Sequence, residues 1–176
     1  TSSSIMISKI QGNIVDILLP PLSNLELTIA ITFGGLARGM IVGLASVLVF
    51  SFFVDMKIFN LFYILFFAFS GSLALSLLGV MGGIWSDKFD HMSGLTNFII
   101  TPLTFLSGSF YSINKLPDIL QQIAKWNPFF YFIDGFRKGF IGYSDTNVTI
   151  GIVVCFVLNI ILFISVYKMF QTGYKL

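Results

Sequence analysis

Few residues in this chain have the type and spacing to do chemistry. Asp134, Arg137 and Lys138 stand at i, i+3 and i+4, the spacing at which a helix brings side chains within pairing reach. What they offer is charge pairing, and Asp134 with Arg137 is expected to form a pair in a partly dry site, because an unpaired charge there would be costly. Asp87 and Asp90 flank Lys88 in a short polar stretch, residues 85–91, that reads as a solvated loop. His91, the sole histidine, has no second ligand near it, so no metal is assigned. Cys155 is the sole cysteine, which excludes an intrachain disulfide and a cysteine metal cluster. The chain holds no G-x-x-x-x-G-K-[ST] phosphate loop, no zinc motif and no nucleophile beside a base. Residues 106–109 resemble an ATPase signature only superficially and fall at a helix end. No catalytic or cofactor-binding residue is assigned, and the chain is not expected to be an enzyme on its own.

The elements that position these groups must lie in lipid. The chain is 56% hydrophobic, 16% aromatic and 10% charged, where soluble domains carry about 25% charged residues. A net charge of +2, scattered along the chain, gives no footing for nucleic acid. Charge-free runs at 39–54, 58–86, 92–114 and 146–167 locate the spans, since about 20 apolar residues cross the hydrocarbon layer. Four spans are expected, at 27–54, 58–86, 92–113 and 146–168, in an all-α integral membrane protein. Arg38 interrupts the first. A helix starting near Ser23 puts it roughly 20 Å along the axis, where a charge costs at least about 2.5 kcal/mol. It is therefore expected to be a buried charge, facing protein or water, the alternative being a side chain that snorkels to the interface. The amino end has no initiator Met, basic n-region or cleavage site, and reads as the tail of something longer.

Ahead of the first span, Ile10, Ile14, Ile17 and Leu18 follow helical spacing opposite Lys9, Gln11, Asn13 and Asp16, so residues 8–19 read as a short amphipathic helix. Pro20 and Pro21 stop it, and Ser23 with Glu26 fits a capping box that starts a new helix. Its apolar residues suit an interfacial anchor or a docking element for a partner. Gly35, Gly39 and Gly43, and again Gly79 and Gly83, have the spacing that lets helices approach closely in lipid. Thr101 and Pro102 predict a kink in the third span, with Thr101 or Thr104 serving a freed carbonyl. Residues 107–143 are too polar to span. Pro117 opens one short helix, and Asn127 as N-cap with Pro128 at N1 opens another. Tyr111, Trp126, Tyr131 and Tyr143 make an aromatic belt suited to the membrane interface.

The run from Thr101 and Pro102 through Gly108 to Ser112, followed by Leu116-Pro117, Asn127-Pro128 and Gly135-Phe136-Arg137, resembles the ABC-2 type permeases, the membrane subunits of ATP-binding-cassette exporters. Residues 34–39 and the loop ahead of them match the same group. The resemblance implies a six-helix domain in the bacterial inner membrane, paired with a second permease copy and driven by a separate ATPase subunit that carries ATP and Mg. It implies that this chain lacks the amino-terminal part of that domain. It also implies that residues 8–26 are a cytoplasmic coupling segment, with Ile14, Asp16, Ile17, Leu18, Pro20 and Pro21 at the ATPase. Residues 114–145 would be outward-facing re-entrant helices, marked by Pro102, Gly108, Pro117, Asn127, Pro128, Asp134 and Arg137.

Charge does not supply the orientation. Lys9, Lys88, Lys168 and Lys175 would lie inside, against Lys57, Lys115, Lys125, Arg137 and Lys138 outside. Competing readings are a non-transporting scaffold or assembly protein, an inactive permease fragment, and a channel, the last disfavoured because the spans carry no acidic rings. No charge cluster in the spans names a substrate.

Overall fold

A computed structural model describes residues 2–14, 16, 19–55, 57–108 and 117–174. Every regular element among the described residues is helical. They are α1 (Ser2–Ile10), α2 (Asn24–Ser51), α3 (Leu61–Trp85), α4 (Phe89–Leu95), a π-helical turn (Thr96–Ile100), α5 (Thr101–Phe105), α6 (Asp118–Trp126), α7 (Pro128–Ile141) and α8 (Val148–Thr172). Helices α2, α3 and α8, of 28, 25 and 25 residues, are long and apolar enough to cross a membrane. At 1.5 Å per residue the shorter two reach about 37 Å, against about 30 Å of hydrocarbon.

Each long helix starts where its sequence supplies a cap. The Ser23 hydroxyl accepts from the Glu26 amide at 3.3 Å, while Glu26 Oε2 accepts from the Ser23 amide at 2.8 Å, so the expected capping box forms. Asn60 Oδ1 accepts from the Phe62 amide at 2.9 Å to open α3, and Asn147 Oδ1 from the Thr149 amide at 3.0 Å to open α8.

Helix α3 is central, packed by α1, α2, α7 and α8. It contributes Phe67, Ala74, Leu77, Val80 and Ile84 to a core completed by Cys155, Leu162, Val166 and Phe170 of α8. Two polar stitches hold the three spans near their middles. The Ser76 hydroxyl donates to the Thr32 carbonyl of α2 at 2.8 Å. Asn159 Nδ2 donates to the Ser70 hydroxyl at 2.7 Å and to the Ser70 and Cys155 carbonyls at 3.2 and 2.9 Å. Together with Gly39 against Ser72 and Gly151 against Phe67, these pairings show α2 antiparallel and α8 parallel to α3. Interhelical hydrogen bonds of this kind average about 0.6 kcal/mol in membranes. Asn159 Oδ1 is itself buried without a partner, so truncation also removes an unsatisfied acceptor. Asn159→Ala should therefore cost only about 0.5–1 kcal/mol, read as a small drop in thermal stability in detergent. A loss several times larger would mean that the amide does more than join two helices.

The expected third span differs in form. Helix α4, the π-helical turn and α5, of 7, 5 and 5 residues, follow one another without a break. They are not among the long spans, and the expected span 92–113 runs into residues 109–116, outside those described. Where a kink is expected at Pro102 the chain forms a π-helical turn, and the Thr101 and Thr104 hydroxyls bond carbonyls other than the Phe98 carbonyl that the proline leaves free. The Thr101 amide bonds the Thr96 carbonyl, and the Thr101 hydroxyl donates to the same carbonyl at 2.9 Å. The Thr104 hydroxyl donates to Ile100 and Thr101 carbonyls at 3.1 and 2.7 Å. Widening by one residue is how a helix absorbs a proline that cannot donate. Gly108, at φ 77, then supplies a left-handed turn that few other residues adopt without strain.

Of the amphipathic helix expected at 8–19, Ser8 to Ile10 close α1, Ile14 and Asp16 are again helical, and residues 15, 17 and 18 lie outside those described. Helix α1 runs over Ser2–Ile10, and Gly12, at φ 75, breaks the chain after it. Helix α1 buries Ile5 and Met6, at 4% and 0% exposure, and leaves Ile10 54% exposed. The glycine pattern is also redistributed. A Cβ on Gly39 would meet Ser72 Oγ of α3 at 3.1 Å, whereas Gly43 faces open space. Gly83 packs on α1, with the Ser2 carbonyl 3.0 Å from its Cβ position, rather than on α2. Gly35 and Gly79 are half-buried.

Candidate functional site

The most constrained chemistry lies where α7 bridges the starts of α3 and α8. Asn127 caps α7, its Oδ1 accepting from the Phe129 amide at 3.0 Å, and Pro128 follows at the first helical position. The other side of the Asn127 amide donates to the Leu103 carbonyl, tying α7 to the end of α5. Phe129, Phe130 and Phe132 turn inward and are buried. Of the aromatic residues expected at the interface, Tyr131 is half-buried and Trp126 and Tyr143 are exposed. Tyr111 of that belt lies outside the described residues.

Helix α7 meets α3 through two glycines. A Cβ on Gly135 would collide with the Phe67 ring, and one on Gly139 would lie 2.9 Å from the Ile64 backbone nitrogen and 3.2 Å from the Asn60 carbonyl oxygen. The Gly139 carbonyl accepts from the Phe59 and Asn60 amides, both at 2.9 Å, so it satisfies donors at the very head of α3. Gly135-x-x-x-Gly139 is the same spacing that drew attention to the first span. The signal is present in the sequence, in a segment too polar to span a membrane.

On its other side α7 carries the expected ion pair, with one more member. Arg137 Nη2 donates to Asp134 Oδ1 at 2.7 Å and also to Asp145 Oδ2. Asp134 Oδ1 further accepts from the Asp145 amide at 2.8 Å, and its Oδ2 accepts from the Thr146 amide and hydroxyl at 3.1 and 2.9 Å. The Asp134 carboxylate, 2% exposed, is thus fully occupied in fixing the approach to α8. Burial alone would lower the Arg137 pKa, but the hydrogen bonds and charges of Asp145 and Asp134 outweigh it and hold the guanidinium above its ordinary value. Stabilisation from this group is fully present below that ordinary value and lost only as pH rises past the folded one, far above neutrality. Lys138, expected within reach of Asp134, sits 5.8 Å over the Tyr63 ring of α3 instead.

The opposite end of α3 is held by a lysine. Lys9 Nζ donates to the Ile84 and Ser86 carbonyls at 2.7 and 3.2 Å, and lies 3.6 Å from Asp87. A cation on the last carbonyls of a helix satisfies acceptors with no partner in the helix and complements its dipole. Asp87, read as part of a solvated loop, is therefore engaged in a tertiary pair. No local signal marks this pair, because the partner is remote along the chain.

The residues expected at a partner ATPase divide. Ile14 packs inward against the core, whereas Asp16, Pro20 and Pro21 are exposed. Ile17 and Leu18 lie outside the described residues. Arg38, expected to be buried, is exposed, because α2 buries only Leu27, Thr28, Thr32 and Leu36, and Arg38 falls on another face. It lines a cavity of about 260 Å³ with Ser4, Ile5, Ala30, Ile31, Gly34 and Gly35, between α1 and α2. A second cavity, about 300 Å³, lies between α2, α3 and α7 and is walled by Phe67, Phe129, Phe132 and Phe136. Among the described residues no cluster of three or more His, Cys, Asp or Glu could hold a metal ion.

Residues 1–141 match the ABC-2 type transporter family. The chain is 33% identical over 159 residues to the inner membrane transport permease YadH of Escherichia coli K12, covering 89% of this chain and 62% of that protein. It is also 33% identical over 84 residues to nodulation protein J of Rhizobium leguminosarum bv. viciae, covering 47% of this chain and 32% of that one. The chain thus spans about six tenths of the YadH permease. No solved structure matches it. By the extent of that match, the chain belongs to the ABC-2 type transporter family.

Proposed function

We propose that this chain is the greater part of a permease subunit of an ABC exporter in a bacterial inner membrane. It would form the translocation path together with a second permease copy, and a separate ATPase subunit would bind ATP and Mg and drive it. Family membership supports a permease role, and the permease YadH is a named inner membrane protein. The observation that carries the reading to mechanism is the placement of the α1 segment and α7 at opposite ends of one central helix. The α1 segment leading to Pro20 and Pro21 holds the end of α3, and α7 holds its start.

In this reading residues 8–26 face the ATPase, and the stretch from α4 through α5 belongs to a fourth span. Helices α6 and α7 are the outward re-entrant pair. Phenylalanines of α7 line the cavity shared with α2 and α3, so a shift of α7 would change the opening of that space.

Lys125, exposed near the end of α6, reports the topology. Lys125→Cys in the full-length protein, with Cys155 replaced by Ala, should react with an impermeant maleimide from outside in intact cells, and the permease should co-purify with an ATPase subunit. Labelling from the cytoplasmic side alone would reverse the assigned orientation. A stable complex with an external protein and no ATPase would favour a scaffold.

A further inference from the structure

We propose that α3 is the strut that carries movement from the ATPase-facing segment to α7, and that Lys9 is the latch joining that segment to it; this rests on the permease reading above. Three observations lead to it. Lys9, only 15% exposed at its side chain, binds two terminal carbonyls of α3 and lies beside Asp87. Gly83, one turn from those carbonyls, lets α1 lie directly on α3, with the Ser2 carbonyl and Ile5 Cβ at 3.0 and 3.2 Å from its Cβ position. At the far end, the Gly139 carbonyl takes the Phe59 and Asn60 amides, and Lys138 covers Tyr63.

A hydrogen-bonded helix resists compression along its axis, because shortening it distorts every i to i−4 bond at once. Loops that contact α3 only by apolar packing could slide over it. A charge-assisted bond to the helix end cannot slide without leaving carbonyls unpaired. Lys9 is therefore a positioning residue, acting through α3 on α7, and neither touches nucleotide nor lines the proposed path.

The test uses full-length permease assembled with its ATPase in proteoliposomes. A cysteine at Ile141, exposed at the end of α7, replaces the native Cys155, itself changed to Ala. Its labelling rate with an impermeant maleimide is measured without nucleotide and with ATP plus vanadate. Wild-type Lys9 should show a several-fold change in rate between the two states. Lys9→Met and Lys9→Gln should keep the ATPase bound and hydrolysing, yet lose that change, and Lys9→Arg should restore it. A purely structural role would instead lower yield and ATPase association together, with no rescue in the labelling ratio. If both variants keep the wild-type change in an ATPase-bound complex, the strut proposal is wrong while the permease reading stands. If the wild-type protein binds no ATPase at all, the permease reading fails, and the strut with it.

Discussion

Asp134→Ala should be the most damaging single truncation in the chain, costing about 3–5 kcal/mol. The physical reason is what remains behind. Arg137 keeps its charge, since a guanidinium does not deprotonate in proteins, and it loses one of two carboxylates. The amides of Asp145 and Thr146 and the Thr146 hydroxyl lose their acceptor in the same step. Each buried donor left unpaired costs about 1–3 kcal/mol. Asp134→Asn should fall between the two, because one amide oxygen can still accept while its NH2 group would face a donor. Arg137→Ala should also be severe, since it leaves two carboxylates, each 2% exposed at the side chain, without their shared cation. Lys138→Ala provides the contrast. It removes a cation from the face of Tyr63, worth about 0.5–1 kcal/mol at a partly exposed site. Thermal unfolding of the purified full-length variants in detergent separates these. Equal and small losses for Asp134→Ala and Lys138→Ala would show that the network is solvated and that α7 is held by its apolar face.

Gly139→Ala is the second large effect expected, at about 1–3 kcal/mol from overpacking. Its new methyl would meet backbone, the Ile64 nitrogen and the Asn60 carbonyl, which cannot turn aside as a side chain can. The helix would have to lift from α3, and the two hydrogen bonds to the Gly139 carbonyl would lengthen with it. Gly135→Ala meets the far edge of the Phe67 ring, so it should cost less, although that ring is 1% exposed and has little room to move. Gly43→Ala should do the reverse. Nothing lies within 4 Å of its Cβ position, and alanine is favoured over glycine inside a helix by about 0.5–1 kcal/mol. The same detergent melts decide the matter. A Gly43→Ala loss as large as that of Gly139→Ala would mean that the C-terminal half of α2 packs against another copy or segment.

Local features of the chain were readable from the amino acids because they depend on neighbours a few residues away. The capping box at Ser23 and Glu26, the Asn127 cap with Pro128 and the pairing of Asp134 with Arg137 all act across five residues or fewer. Hydrophobic runs likewise marked α2, α3 and α8, because the cost of exposing polar groups to lipid leaves little freedom in where a span can lie. The family resemblance was legible for a related reason: its prolines, glycines and aromatics shape turns and caps directly. Tertiary structure decided everything that joins distant residues. Whether a glycine packs depends on which helix arrives opposite it, so Gly135 and Gly139 carry the close crossing and Gly43 carries none. Helix α1 lies on α3 with Ile5 against Gly83, a contact invisible to periodicity counted within residues 8–19. Asp145 joins Asp134 and Arg137 only when α8 is set beside α7, and Lys9 finds the end of α3 across 75 residues of chain. A charge in sequence declares that it needs a partner; only the packing of helices determines which one it has.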